Sequence, residues 1–199
     1  MKDIVRPENK WDLIQIIKKE VEAEGWSVDL NHIDVGHLTD FSLVFSYLHK
    51  LEKFTGNISQ WDVSNAENMS MMFRQSGFDG DLSNWDIRRV KFMSMMFSHS
   101  SFNQDLSRWD VAGVEKMDLM FSGGLFDHPL ESWEVSESCN ATEMFSESGL
   151  LNRLVQKEGI TEEGLVSDFE SVRILWRKHH LYHSLAVNNL EKQIKKVRL

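Results

Sequence analysis

Trp61-Asp62-Val63-Ser64-Asn65-Ala66-Glu67-Asn68-Met69-Ser70-Met71-Met72-Phe73 is the stretch on which the reading of this chain turns. Its frame returns at Trp85-Asp86-Ile87 and Met96-Phe97, at Trp109-Asp110-Val111 and Met120-Phe121, and at Trp133-Glu134-Val135 and Met144-Phe145. The step is 24 residues each time, and Phe54, Phe78, Phe102 and Phe126 keep it too. Three aromatic columns of four in register are the signature of a repeat array, in which each unit buries its apolar face only against its neighbours. An imperfect earlier unit is present at Leu30, Ile33, Asp34, Val35 and Phe45. Isoleucine replaces its tryptophan, and its following loop, Ser46 to Lys53, is four residues longer.

Inside a unit, the order apolar-x-x-Trp-acid-apolar predicts a short parallel strand. Alternation then places Trp85 and Ile87 inward and Asp86 outward. Val90, Met93, Met96 and Phe97 follow at helical spacing, which predicts a short helix or 3-10 turn. Ser64 and Glu67 fit a capping box at its start, and Gly56 and Gly80 fall where a positive φ is useful. The expected fold class is an α/β repeat solenoid, leucine-rich-repeat-like, with short parallel strands, short helices and helical caps at both ends.

The expected division is an N-terminal helical cap over 1–29, five leucine-rich-type repeats over 30–149 and a C-terminal helical cap over 150–199. Leu13, Ile14, Ile17 and Val21 give residues 10–24 one apolar helical face, with Gly25 as a stop and Trp26 packing back. Leu165, Phe169, Val172 and Trp176 give the C-terminal segment another, with Thr161 as N-cap; one helix or two fit 161–197, since Asn188-Asn189 could break it. That segment carries nine basic and six acidic residues, against six acidic and none basic over 126–149. Such a contrast fits either a cap bound to the last repeat or a bipolar binding surface.

Of 199 residues 41% are hydrophobic and 27% charged, the balance of a soluble globular protein. The net charge of −9 argues against nucleic acid as the main partner, because phosphate binding needs a clustered basic surface. It favours a basic protein partner. A single cysteine, Cys139, precludes a disulfide framework. Ile16-Ile17 is the longest apolar run near the N-terminus, too short for a signal peptide, and no segment approaches a membrane span. The expected compartment is the cytoplasm.

Residues 61–73, together with Phe-Asn-Gln-Asp-Leu-Ser-Arg-Trp-Asp-Val at 102–111, resemble the BspA-like leucine-rich-repeat surface protein family. The resemblance covers about 140 residues and extends to a charged helix leading into residues 29–35. It implies a right-handed solenoid with a binding role rather than an enzyme, and many members are surface proteins or adhesins. The chain departs from the pattern at Arg88-Arg89, Ala112-Gly113 and His128-Pro129.

The most visible polar feature is the acidic column Asp62, Asp86, Asp110 and Glu134. Like charges stacked at strand spacing repel, so turn hydrogen bonds, a cation or a basic partner must offset them. Paired-carboxylate catalysis lacks a cleft and a second group. Positions repeated in every unit serve the fold, so specificity is expected from the positions that vary. On the predicted strand face these are His32, Gln60, Asn84, Arg108 and Ser132, each two before the acid. The alternative partner-binding surface is a Met71, Met95 and Leu119 stripe, or a basic cluster of Arg173, Arg177 and Lys178 beside His179 and His183. No metal is expected, since those histidines lack further ligands at zinc spacing. No cofactor is expected either; phosphate loop and nucleophile elbow are both absent. The expected function is a cytoplasmic protein-binding repeat protein, in its sharpest form an inhibitor or immunity protein neutralising a basic toxin or nuclease. The alternative is an adhesin-type ligand-binding protein or a fragment of one.

Overall fold

The computed structural model describes residues 2–46 and 53–152. Helix α1 runs over Lys10–Glu24. Asn9 caps it, its side chain accepting from the N–H groups of Trp11 (2.9 Å) and Asp12 (3.2 Å). Gly25 ends it at φ 91°, its N–H bonding the Val21 carbonyl. Leu13, Ile14, Ile17 and Val21 face inward, at the spacing that predicts them. Counted from four residues before each tryptophan, the units that follow are 29–56, 57–80, 81–104, 105–128 and 129–152.

The expected α/β repeat solenoid is overturned. The described residues contain no β-strand, and within the units only Lys53, in a 3-10 turn, and 149–152, at the end of the last, are helical. Parallel pairing is reduced to single-residue bridges: Asp40 to Asn68, Asn68 to Phe92, Phe92 to Lys116, and Lys116 to Asn140. These four fall in the segment expected as a returning helix; two more, Val5 to Ile33 and Asp29 to Asn57, lie at or beside the first expected strand. The segment expected as a strand is turns: Trp61 N–H bonds the Ile58 carbonyl at 3.1 Å, and Ala66 N–H the Val63 carbonyl at 2.8 Å.

Side chains that compete for the backbone explain the missing strands. In 57–80, Asn57, Asp62, Asn68 and Ser76 each accept from the N–H two residues on, at 3.2, 3.0, 3.0 and 3.0 Å. Each such bond bends the chain before an extended ladder can lengthen. No helix follows Ser64, because the N–H groups of Glu67 and Asn68 are taken by the Thr39 carbonyl of the unit before, at 2.7 and 3.1 Å. Farther on, Met71 and Gln75 adopt φ of 57° and 60°, the left-handed region, which also ends any right-handed helix. Later units repeat this at Met95, His99, Leu119, Gly123, Glu143 and Glu147.

The inter-unit bonding is therefore a narrow backbone ladder. N–H groups of Met93, Met95, Phe97 and His99 reach the carbonyls of Lys116, Asp118, Met120 and Ser122 at 2.8–2.9 Å. Beneath it, Phe73, Phe97, Phe121 and Phe145 stack at 5.6 to 5.8 Å between centroids and nearly parallel. The four tryptophans of the repeat column, Trp61, Trp85, Trp109 and Trp133, are buried. Trp61, Trp109 and Trp133 donate Nε1–H to the carbonyls of Leu30, Leu82 and Leu106, one unit earlier, at 2.9–3.0 Å. Trp85 Nε1 is buried without a partner. Gly56 and Gly80 do not adopt a positive φ; they are needed for closeness, since a Cβ there would lie 2.7 Å from the ring of Phe54 or Phe78.

Candidate functional site

The positions on either side of each buried tryptophan face outward. Gln60, Asn84, Arg108 and Ser132 are exposed, and so are Asp62, Asp110 and Glu134; Asp86 is partly exposed. The two columns form one surface strip, laid over turns rather than on a strand face. Every aspartate of the strip also holds its own turn. Asp34, Asp62, Asp86 and Asp110 accept from the N–H of Gly36, Ser64, Arg88 and Ala112 at 3.0–3.2 Å.

The strip is not uniform. Arg88 grips Asp86 with two bonds, Nε to Oδ1 at 2.9 Å and the terminal nitrogen to Oδ2 at 2.6 Å. That side-chain pairing pulls the Asp86 carboxyl down to about 2, against a smaller opposing push from burial. Asp86 is thus neutralised locally. Just before the tryptophans, Asp81 and Asp105 are also held below the ordinary carboxylate range. Backbone bonds from Ser83 and Ser107 are the chief cause, and Arg108 adds a smaller pull on both. His32 differs from the others in its column. It is half-buried, 3.6 Å from Glu20 of α1, whose carboxylate Lys2 also binds at 2.5 Å. Ser132 donates to the Ser107 carbonyl at 2.6 Å. Asn84 and Arg108 make no hydrogen bond or ion pair with the described residues through their side chains.

Met71, Met95 and Leu119 lie elsewhere, on the ladder, half-buried and in the left-handed conformation. Their backbone is spent on inter-unit bonds, Met71 N–H to Ser94 and Leu119 N–H to Thr142 among them. Arg173, Arg177 and Lys178, with the expected C-terminal cap from residue 153 on, lie outside the described residues. Cys139 is half-buried, and burial pushes its thiol up, the reverse of an activated nucleophile.

Sequence reasoning missed a cleft of about 340 Å³ at the start of α1, lined by Trp11, His37 and Asp40 among others. Lys10 crosses it to Asp40 (2.5 Å) and Ser42 (2.8 Å), while His37 Nε2 meets the Pro7 carbonyl at 2.8 Å. Burial pushes the Asp40 carboxyl up, but Lys10 and Ser42 together bring it below its ordinary value. The only sequence signal would have been the exposed Trp11. Among the described residues no group of three or more His, Cys, Asp or Glu is placed to hold a metal ion. No helix among them is long and apolar enough to cross a membrane.

No curated protein and no solved structure is significantly similar. The profile of the family described as "Mycoplasma protein of unknown function, DUF285" matches residues 11–124 and again 39–158, two overlapping placements that a repeating chain permits. Each placement takes in more than half of the sequence and spans the stacked units just described, so the chain belongs to the DUF285 family.

Proposed function

We propose that this protein binds another protein, of basic character, on the strip beside the tryptophans, and acts by holding and blocking it. The observation that carries this reading is the division of labour along the strip. The tryptophans and the turn-forming aspartates repeat and serve the fold. The outward positions just before the tryptophans change from unit to unit, as Gln60, Asn84, Arg108 and Ser132, and remain accessible. The scaffold beneath them is fixed by the backbone ladder and the stacked rings, so little ordering entropy opposes binding. Asp62, Asp110 and Glu134 supply a negative field that draws in a basic surface, while Asp86 contributes little because Arg88 occupies it. An inhibitor or immunity-type protein facing a basic toxin or nuclease is the sharpest form of this reading, supported by the net charge of −9.

The test is affinity capture with the full chain, followed by mass spectrometry and by the double charge reversal Arg108→Glu with Asp110→Lys. Capture of a basic protein is expected, with association slowing steeply as salt is added. The double variant is expected to lose that partner, while stability falls only by the lost Asp110 turn bond, about 1 kcal/mol. A partner retained at full affinity by the double variant places the interface elsewhere.

A further inference from the structure

In the interior units four alternate N–H groups of the ladder point to the unit after, while those of Asn68, Phe92 and Lys116 point back to Thr39, Glu67 and Lys91. Met69, Met71, Phe73 and Gln75 give their N–H groups to the unit after them, and Met117, Leu119, Phe121 and Gly123 do the same. In the last unit these columns are Ala141, Glu143, Phe145 and Glu147. Glu143 and Glu147, at φ 52° and 55°, repeat the backbone of Met95 and His99, both at 56°. Their N–H groups therefore point out of the end of the stack. Among the described residues, no acceptor meets the N–H of Ala141, Glu143 or Glu147. The apolar side of this end is nevertheless closed. Trp133 and Phe145 are each 1% exposed, as little as the tryptophans and phenylalanines of interior units.

We propose that this edge is a docking site for residues 153–199 of the same chain, which supply carbonyl acceptors to the donor row. The proposal does not depend on the binding strip. Three observations select this occupant. The chain leaves the edge itself: Leu150 and Leu151 are buried, and Leu151 N–H is held by Ser148 Oγ at 3.1 Å. A segment tethered there reaches the edge at a high effective concentration. Forty-seven residues follow Asn152, whereas a row from 141 to 147 is only about 20 Å long at ~3.3 Å per residue. Finally, 153–199 carries nine Lys or Arg against six Asp or Glu, whereas residues 126–149 at the edge carry six acidic residues and none basic. A second copy would offer acceptors too, through Asp40, Ser42 and Val44 of its first unit, but without the tether.

Amide hydrogen exchange on the full chain, at two protein concentrations tenfold apart, tests this. The N–H groups of Glu143 and Glu147 are expected to exchange within about tenfold of Met95 and His99, and equally at both concentrations. Zero-length carbodiimide cross-linking is expected to join Glu143 or Glu147 to a lysine of 153–199 within one chain. Exchange of Glu143 and Glu147 at the rate of an unstructured peptide overturns the proposal. So does protection that grows with concentration, or cross-links that join separate chains, either of which would assign the edge to a second copy.

Discussion

Residues 81–90 and 91–99 belong to one unit and are held by different means. In 91–99 the neighbours are bound backbone to backbone, with the N–H groups of four alternate residues reaching the next unit. In 81–90 the backbone turns on itself: Asp81 holds Ser83, Asp86 holds Arg88, and Trp85 N–H reaches back to Leu82. Only side chains cross between units there, the Trp109 indole to the Leu82 carbonyl and Arg89 to the Asn65 side-chain oxygen, and Trp85 makes no such bond. A segment held by its backbone can vary its side chains, and the central left-handed column runs Leu43, Met71, Met95, Leu119 and Glu143. A segment held by side chains cannot, which is why the tryptophan and the acid recur. Conservation of type within the repeat thus marks where side chains bear the structure, and surface variation beside it marks where they are released for recognition.

The comparison can be broken most forcefully at a tryptophan. Trp109 packs on Phe97 with centroids 6.4 Å apart and bonds the Leu82 carbonyl at 3.0 Å. Trp109→Ala is expected to cost about 3–5 kcal/mol in urea unfolding, and to loosen both adjoining units. A loss under about 1 kcal/mol would mean that the turn segment does not depend on its side chains. Next in size is a backbone test of the ladder. Gln75 is exposed, sits at φ 60°, and gives its N–H to Ser98 at 2.9 Å. Gln75→Val is expected to destabilise by about 1–2 kcal/mol, because a branched Cβ opposes the left-handed region. Gln75→Gly should be near neutral, since Gly123 fills the same column. Equal effects of the two changes would show that conformation does not govern this strip.

Smaller effects separate charge from turn formation. Asp110→Ala removes the acceptor for Ala112 N–H and is expected to cost about 1 kcal/mol. Asp110→Asn keeps an acceptor oxygen, so thermal melting should barely move while partner association slows. If Asn is as harmful as Ala, the charge itself bears on the fold. The smallest effect is in acid. Asp86 titrates at about 2 when folded, below its ordinary 3.8. The folded form thus binds the proton less readily. The contribution of the Arg88 pairing is complete above about pH 4 and is lost as pH falls through about 2. Asp86→Asn should flatten this part of the acid-unfolding profile, read as urea midpoint against pH. An unchanged slope would mean that this exposed pair adds nothing measurable.

The columns were legible because burial leaves no freedom: Phe73, Phe97, Phe121 and Phe145 can stack only at the same point of every unit. The helix over Lys10–Glu24 was legible from its apolar face and its glycine stop. The path between the columns was not. Trp85 inward, Asp86 outward and Ile87 inward is what a strand would show, yet a turn that buries both flanks of an aspartate shows it too. Asn57, Asp62, Asn68 and Ser76 were the signal that favours turns, each at a bend and each two residues before the N–H it holds. Left-handed residues gave no signal, since methionine, glutamine, histidine and glutamate occupy positions where glycine is the ordinary marker. The outward positions Gln60, Asn84, Arg108 and Ser132 were found by alternation, which turn and strand share. The pairing of Asp86 with Arg88 was hidden, because residues two apart on a strand share a face but stand about 6.6 Å apart, whereas the turn folds Arg88 back onto Asp86.

The ladder has a further property that belongs to the whole stack. The carbonyl of Phe92 and the N–H of Met93 are two ends of one peptide group, as are those of Lys116 and Met117. Met69 N–H bonds Phe92, Met93 N–H bonds Lys116, and Met117 N–H bonds Asn140. Peptide groups are therefore strung head to tail along the length of the array, in four parallel files, as they are along the axis of an α-helix. Their dipoles add, and successive bonds in a file polarise one another. Two opposed files, with Phe92 N–H to Glu67 and Leu125 N–H to Ser100 among their bonds, offset part of this, and the net positive pole lies at the C-terminal end. Acidic side chains stabilise a positive pole at the start of a helix, and the same physics favours Glu143 and Glu147 at the end of this stack.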